Sequence, residues 1–172
     1  SSSGNITAAE TAVGTITFTQ NTASWGHGWR KTSTVSAAIG LELSHTLHLD
    51  SSTFTGQYYI GFSDNSGWGG YDYNNNEFSF MPAITNNLGG NLAIRELSGV
   101  RTNPAVSASI NSIKLRIVLI DAGGSNVKAQ YCYTFDGDPE LSYVGLETLP
   151  SGTALYIKYG SPAAGSPTNT VV

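Results

Sequence analysis

Lys114-Leu115-Arg116-Ile117-Val118-Leu119-Ile120, then Asp121-Ala122-Gly123-Gly124-Ser125-Asn126, then Val127-Lys128-Ala129-Gln130-Tyr131-Cys132-Tyr133: this stretch decides the fold. An apolar run, a turn-forming cluster and a second run describe two strands joined by a turn. The first run is apolar on both parities, as expected of a strand in the middle of a sheet. Working outward, period-2 alternation recurs. Ile16 and Phe18 alternate with Thr15, Thr17 and Thr19, while Leu41, Leu43, Leu47 and Leu49 oppose Glu42, Ser44, Thr46 and His48. Tyr58, Ile60 and Phe62 form another set, followed by Phe78 with Phe80, Leu92 with Ile94, and Leu155 to Tyr159. No segment sustains a 3.6-residue apolar period over three turns.

The expectation is therefore an all-β chain, with eight or more strands in a two-sheet antiparallel jelly-roll sandwich. Alternation predicts a core of Leu41, Leu43, Ile60, Phe62, Phe78, Phe80, Leu115, Ile117, Leu119 and Ile157. Both ends have tether composition, Ser1-Ser2-Ser3-Gly4 and Ser161-Pro162-Ala163-Ala164-Gly165-Ser166-Pro167. A jelly-roll domain is expected over 12–160, between flexible linkers at 1–11 and 161–172.

Composition excludes several functions. The chain has 172 residues, and only 12% are charged, about half the roughly 25% usual in soluble domains. With 21 Ser, 18 Thr, 13 Asn and 20 Gly, hydroxyls, amides and bare backbone wet the surface. Eight scattered Lys and Arg at a net charge of -4 cannot build a nucleic-acid-binding face. No apolar run approaches the length of a membrane-spanning helix, so no membrane insertion is expected. Neither a charged n-region nor an apolar h-region opens the sequence, so no signal peptide is visible. The single Cys132 permits neither an intrachain disulfide nor a multi-thiolate zinc site, and reads as a small, partly buried apolar residue.

The stretch richest in chemistry is Asp64-Asn65-Ser66-Gly67-Trp68-Gly69-Gly70-Tyr71-Asp72-Tyr73-Asn74-Asn75-Asn76. Thirteen residues exceed what a connection needs, and such loops often carry function. Trp68, Tyr71 and Tyr73 offer flat rings for sugar C–H faces. Asp64, Asp72 and Asn74 offer partners for hydroxyls, and the glycines allow close approach. Alternatively, Trp68 and Tyr71 plug one end of the sandwich. A second cluster, Trp25-Gly26-His27-Gly28-Trp29-Arg30, supplies Trp25 and Trp29 either as further stacking surface or as cover for a core edge.

Metal and acid–base chemistry are less well supplied. His45 shares the parity of Leu43 and Leu47 and reads as an inward, hydrogen-bonded histidine. His48 faces the other way, and no paired-His spacing exists. Asp136, Asp138 and Glu140 form a compact acidic turn whose oxygen ligands could hold calcium, or which is simply an Asx-type turn. No cofactor is required by the pattern. Glu77, Glu96, Asp72 and Asp64 are available as glycosidase carboxylates, but spacing defines no acid–base pair. No catalytic residue is assigned.

The chain resembles concanavalin A-like, laminin-G-type jelly rolls in Tyr58-Tyr59-Ile60-Gly61-Phe62-Ser63-Asp64, in the Lys114–Tyr131 strand pair, and in Leu149-Pro150-Ser151-Gly152 before Leu155-Tyr156-Ile157-Lys158-Tyr159-Gly160. This resemblance covers most of the expected domain and implies a lectin or carbohydrate-binding module that takes a poly- or oligosaccharide. The Ser/Thr/Gly/Asn richness is also similar to phage fibre and tailspike modules. That implies an extracellular, cell-surface or virion-associated setting and, for a fibre, a structural or receptor-binding homo-oligomer. Polysaccharide lyases and glycoside hydrolases are the enzymatic alternative. Ala93-Ile94-Arg95-Glu96-Leu97-Ser98-Gly99-Val100-Arg101 resembles the Arg-x-Glu-Leu-Arg strand of jelly-roll alginate lyases, and Tyr156–Gly160 resembles their C-terminal strand. Their Gln-x-His element has no counterpart, and the Glu-x-Asp-x-x-Glu strand of laminarinase-like glycosidases is absent. Binding without turnover is the resulting expectation.

Overall fold

A computed structural model describes residues 2–3, 6–12, 15–20, 28–48, 56–57, 59–65, 77–84, 90–96, 99–102, 104–106, 110–160 and 170–171. Among them every regular element is a β-strand, and every strand pairing is antiparallel. The front sheet has the spatial order β1 (Ser2–Ser3), β4 (Gly28–Arg30), β16 (Ala154–Gly160), β8 (Tyr59–Ser63), β9 (Glu77–Ile84), β10 (Gly90–Glu96) and β11 (Gly99–Thr102). Three short strands join it off this path: β5 (Val35–Ser36) on β16, β7 (Gly56–Gln57) on β9 and β12 (Ala105–Val106) on β10. The back sheet runs β15 (Leu141–Pro150), β14 (Asn126–Phe135), β13 (Ser112–Gly123), β6 (Glu42–His48), β17 (Thr170–Val171), β3 (Thr15–Gln20) and β2 (Ile6–Ala12). The two form a jelly-roll sandwich.

The stretch that opens the sequence becomes β13 and β14, paired from Ile113 opposite Phe135 to Gly123 opposite Asn126. Their turn is tighter than its composition required. Gly124 and Ser125 take φ of 59° and 64°, the left-handed pair that a two-residue hairpin turn uses to follow strand twist. From the back sheet, Leu43, Leu115, Ile117, Leu119, Val127, Ala129 and Tyr131 face Ile60, Phe62, Phe78, Phe80, Leu92 and Ile94 of the front sheet in one buried cluster. Phe80 and Tyr131 cross between the layers edge to face, with centroids 5.4 Å apart. Eight of the ten expected core residues are buried, while Leu41 and Ile157 are half-buried and pack against the cluster. His45 is buried opposite Leu115, on the inward parity assigned to it.

Two findings go beyond the sequence reading. Strands β1, β2 and β17 carry the sheets into both stretches expected to be linkers. An outer strand contributes backbone hydrogen bonds even where its side chains are small, so β2 forms from Ile6-Thr7-Ala8-Ala9-Glu10-Thr11-Ala12. The second is a cross-sheet clamp. Glu96 ends β10 with its side chain pointing inward and wholly buried. Opposite it, β15 bulges: between the Lys128–Thr148 and Gln130–Val144 pairs, Gly145, Leu146 and Glu147 stand against Ala129 alone. The bulge turns two backbone N–H groups away from the ladder, and both donate to Glu96 Oε2, Leu146 N at 2.8 Å and Glu147 N at 3.1 Å. A Cβ on Gly145 would overlap the Glu96 carboxyl, so only glycine leaves the space. The Tyr131 hydroxyl donates to the Arg95 carbonyl oxygen at 3.1 Å, with Glu96 Oε1 at 3.4 Å.

Two stability predictions follow from this packing. Phe80→Ala, at a fully buried site between the sheets, should lower unfolding free energy by about 3–5 kcal/mol in urea titration. Glu96→Ala leaves two part-buried donors without their acceptor and should cost about 1–3 kcal/mol. Glu96→Gln, which keeps an acceptor, should cost less. Equal losses for the two Glu96 variants would show that the carboxyl's hydrogen bonds do not hold the sheets together.

Candidate functional site

Residues on the outer parity of the front sheet are small or polar where those on the inner parity are large and apolar. Strand register aligns Arg30 on β4, Lys158 on β16, Gly61 on β8, Ser79 on β9 and Arg95 on β10 in one transverse row. Those four strand spacings measure roughly 19 Å. The adjoining row holds Tyr156, Ser63 and the register position of Glu77. Opposite residues of antiparallel strands share a face. Their neighbours Ile60, Phe62, Phe78, Phe80 and Ile94 fill the core, so this row faces away from it. Three of the chain's eight basic residues therefore lie in one line.

Between Lys158 and Arg95 the floor is low. A Cβ on Gly61 would overlap the Phe78 carbonyl oxygen and the Ser79 Cβ, so no side chain can rise there. Lys158 and Ser79 are each 2% exposed, and Ser63 is as deeply buried. Arg30, Arg95 and Tyr156 are half-buried. Arg30 lies over the Tyr156 ring, with Cζ 4.6 Å from the centroid, a cation–π contact that fixes both groups. Ser63 Oγ accepts from Asn65 N at 3.2 Å. Ser79 Oγ is buried with no hydrogen-bond partner among the described residues. A buried hydroxyl left unsatisfied costs about 1–3 kcal/mol. The row thus combines a partly exposed ring and two partly exposed arginines with covered Lys158, Ser63 and Ser79 over a small-residue floor, a set suited to oxygen-rich ligands.

Most residues named for the saccharide loop, Trp68, Tyr71, Asp72, Tyr73 and Asn74, lie outside the described residues, as does Trp25. Asp64 is described, half-buried and just beyond β8. Trp29 pairs in register with Tyr159, and its side chain lies outside the described residues. Sequence reasoning did not single out Lys158, Tyr156, Ser63 or Ser79 as candidate site residues, and noted Arg95 only within the segment resembling an alginate-lyase strand. A signal was present in the parity opposite the core: Gly61 and Ser63 around Phe62, Ser79 between Phe78 and Phe80, Ala93 and Arg95 around Ile94.

The acidic turn is committed to protein donors. Asp136 has φ 48°, and its carboxylate accepts Asn111 N at 2.9 and 3.0 Å, Ser112 N at 2.6 Å and Ser112 Oγ at 3.2 Å. Glu140 accepts Arg116 Nη2 at 2.7 Å and Nε at 3.3 Å, and Glu42 takes Arg116 Nη1 at 3.2 Å. Glu140 first, then Glu42, holds the Arg116 proton more tightly than usual. Among the described residues no three His, Cys, Asp or Glu are placed to hold a metal. Cys132 is buried beside this network, and burial pushes its thiol up. On the back sheet's outer face Arg116 thus pairs with Glu42 of the neighbouring strand and with Glu140.

No family model and no curated protein matches the sequence. Among solved structures, the chain is similar to a protein of unknown function from Shewanella oneidensis MR-1, at 15% identity and a TM-score of 0.59, covering 99% of this chain and 74% of that one. It is also similar to a β-glucanase of Bacillus licheniformis, at 11% identity and 0.47, covering 99% and 84%. A β-1,3-1,4-glucanase (lichenase) derived from a mouse hindgut metagenome gives 11% and 0.45, covering 97% and 78%. The likeness to the Shewanella protein shows the fold that the sheets define.

The acid response of the turn is predictable in sign. Backbone donation from Asn111 above all, with Ser112, holds Asp136 below the ordinary aspartate range, and Arg116 does the same for Glu140. A depressed folded pKa adds stability that is complete above the unfolded value and is lost as pH falls through the folded one. Urea midpoints should therefore fall from about pH 4 downward, and Asp136→Asn should make that fall shallower. An identical slope in the variant would remove Asp136 from the acid response.

Proposed function

We propose that this jelly roll binds a poly- or oligosaccharide across the outer face of its front sheet, without turnover. The observation that carries this is the row Arg30–Lys158–Gly61–Ser79–Arg95 with Tyr156 beside it. Saccharides require a ring face for their C–H surface and many oriented donors and acceptors for their hydroxyls. Tyr156 supplies the ring, and Ser79, Ser63 and the basic side chains supply the polar groups. The loop residues Trp68, Tyr71, Tyr73, Asp72 and Asn74, which leave β8 through Asp64, are proposed to add stacking and hydroxyl contacts from one side.

A second reading, a polysaccharide lyase or hydrolase, is favoured by one specific observation. The two segments resembling alginate-lyase strands bring Arg95, Tyr156 and Lys158 to the same face. Arg or Lys beside a uronate carboxylate would stabilise charge developing on it, and a tyrosine can exchange a proton there.

Calorimetric titration with a polyuronate oligomer and a neutral β-glucan oligomer, after a glycan array, tests both readings. Arg95→Ala and Trp68→Ala, each confirmed as folded by its far-UV spectrum, should weaken binding roughly tenfold or more for the dominant contact. No binding on the array, or affinity unchanged in both variants, overturns the binding proposal. Unsaturated or reducing ends released by the wild type and abolished in Arg95→Ala would establish the enzymatic reading instead.

A further inference from the structure

We infer that Glu96 and Tyr131 are positioning residues for Arg95, and that they couple the bulged edge strand β15 to the ligand face. The functional half of this inference rests on the saccharide reading; the geometric half does not.

Arg95 occupies an irregular place in the front sheet. Between the pairs Ile94–Thr102 and Arg95–Val100 the register shifts, leaving Arg101 as an extra residue on β11. A bulge weakens the ladder that would otherwise fix the backbone, and it redirects the side chains around it. The other sheet holds this point in place. The Tyr131 hydroxyl, from β14, donates to the Arg95 carbonyl at 3.1 Å. The next residue, Glu96, is anchored by two N–H groups of the β15 bulge, in a space that Gly145 keeps open. Two bulges, one in each sheet, therefore meet at consecutive residues of β10. Alternation then dictates the consequence: with Glu96 fixed inward, Arg95 must point outward into the row with Ser79. A change at Gly145, Leu146 or Glu147 reaches Arg95 through a carboxylate and a peptide plane, without touching the outer face.

The test uses the whole chain labelled with nitrogen-15 and reads the arginine Nε–H resonances, with that of Arg95 assigned by its loss in Arg95→Lys. Tyr131→Phe deletes only the hydroxyl, and Glu96→Gln keeps the carbonyl acceptor. In Tyr131→Phe the Arg95 resonance should shift and its order parameter fall, Glu96→Gln should do the same to a smaller extent, and the resonance of Arg116, paired on the back sheet, should stay unchanged. Ile113→Val, a core change on β13 opposite Phe135 and Leu47, is the control for general loosening and should leave Arg95 as in wild type. With the two oligomer probes above, Tyr131→Phe should weaken binding by roughly threefold or more in the wild-type background and not at all in Arg95→Ala. An unchanged Arg95 resonance in both clamp variants, or an equal response in Ile113→Val, overturns the positioning role. If neither probe binds while the resonance responds as expected, the saccharide reading fails and the positioning of Arg95 stands.

Discussion

A carboxylate taken out of water between two β-sheets persists only if protein donors replace the hydration it loses. Glu96 meets that condition by a route that shapes both sheets. Strand β15 gives up regular pairing over Gly145–Glu147 so that two N–H groups can reach Oε2. Gly145 must lack a side chain, and β10 must end with Glu96 inward. Hydrophobic burial holds the layers together without directional preference, whereas the bonds to one carboxylate are directional. The clamp thus fixes how β10 and β15 face each other, and with it the outward aim of the neighbouring arginine.

The two outer faces deal with charge differently. On the back sheet Arg116 sits between Glu42 and Glu140, about a third exposed, in pairs of the kind that solvent screening makes weak. On the front sheet Lys158 is almost wholly buried beside Gly61, with Arg30 and Arg95 half-buried in the same row. Charged groups are costly to bury, and this chain has few of them. Their concentration over a floor of glycine and serine is what distinguishes this face from a solvated one. The acidic turn, by contrast, is explained by structure: Asp136 ties the β14 end to the start of β13.

Period-2 alternation made the hairpin of β13 and β14, the aromatic strands β8 and β9, and the burial of His45 legible in the sequence. It failed at β15 for a physical reason. Burial alternates along the strand, but Val144 and Leu146 stand on the exposed parity while Gly145 and Glu147 take the inner one, so the apolar residues of Leu141–Pro150 do not follow it. It failed at β2 and β17 because short strands with small or hydroxyl-bearing side chains carry little hydrophobic signal. The site was half legible: Arg95 and the Tyr156–Gly160 strand were noticed, but nothing local shows that they share a face.

By itself the sequence determined an all-β sandwich, its central hairpin and most of its core, because strand periodicity and turn chemistry act over a few neighbouring residues. Its composition also set the expectation that no basic nucleic-acid face is built, and among the described residues no helix is long and apolar enough to cross a membrane. Only the tertiary structure decided which outward residues become neighbours. Arg30 and Lys158 are 128 positions apart, and Glu96 finds its donors 50 and 51 residues further on. Such partnerships depend on strand order and register, which arise from the packing of whole sheets rather than from the pattern along any one strand.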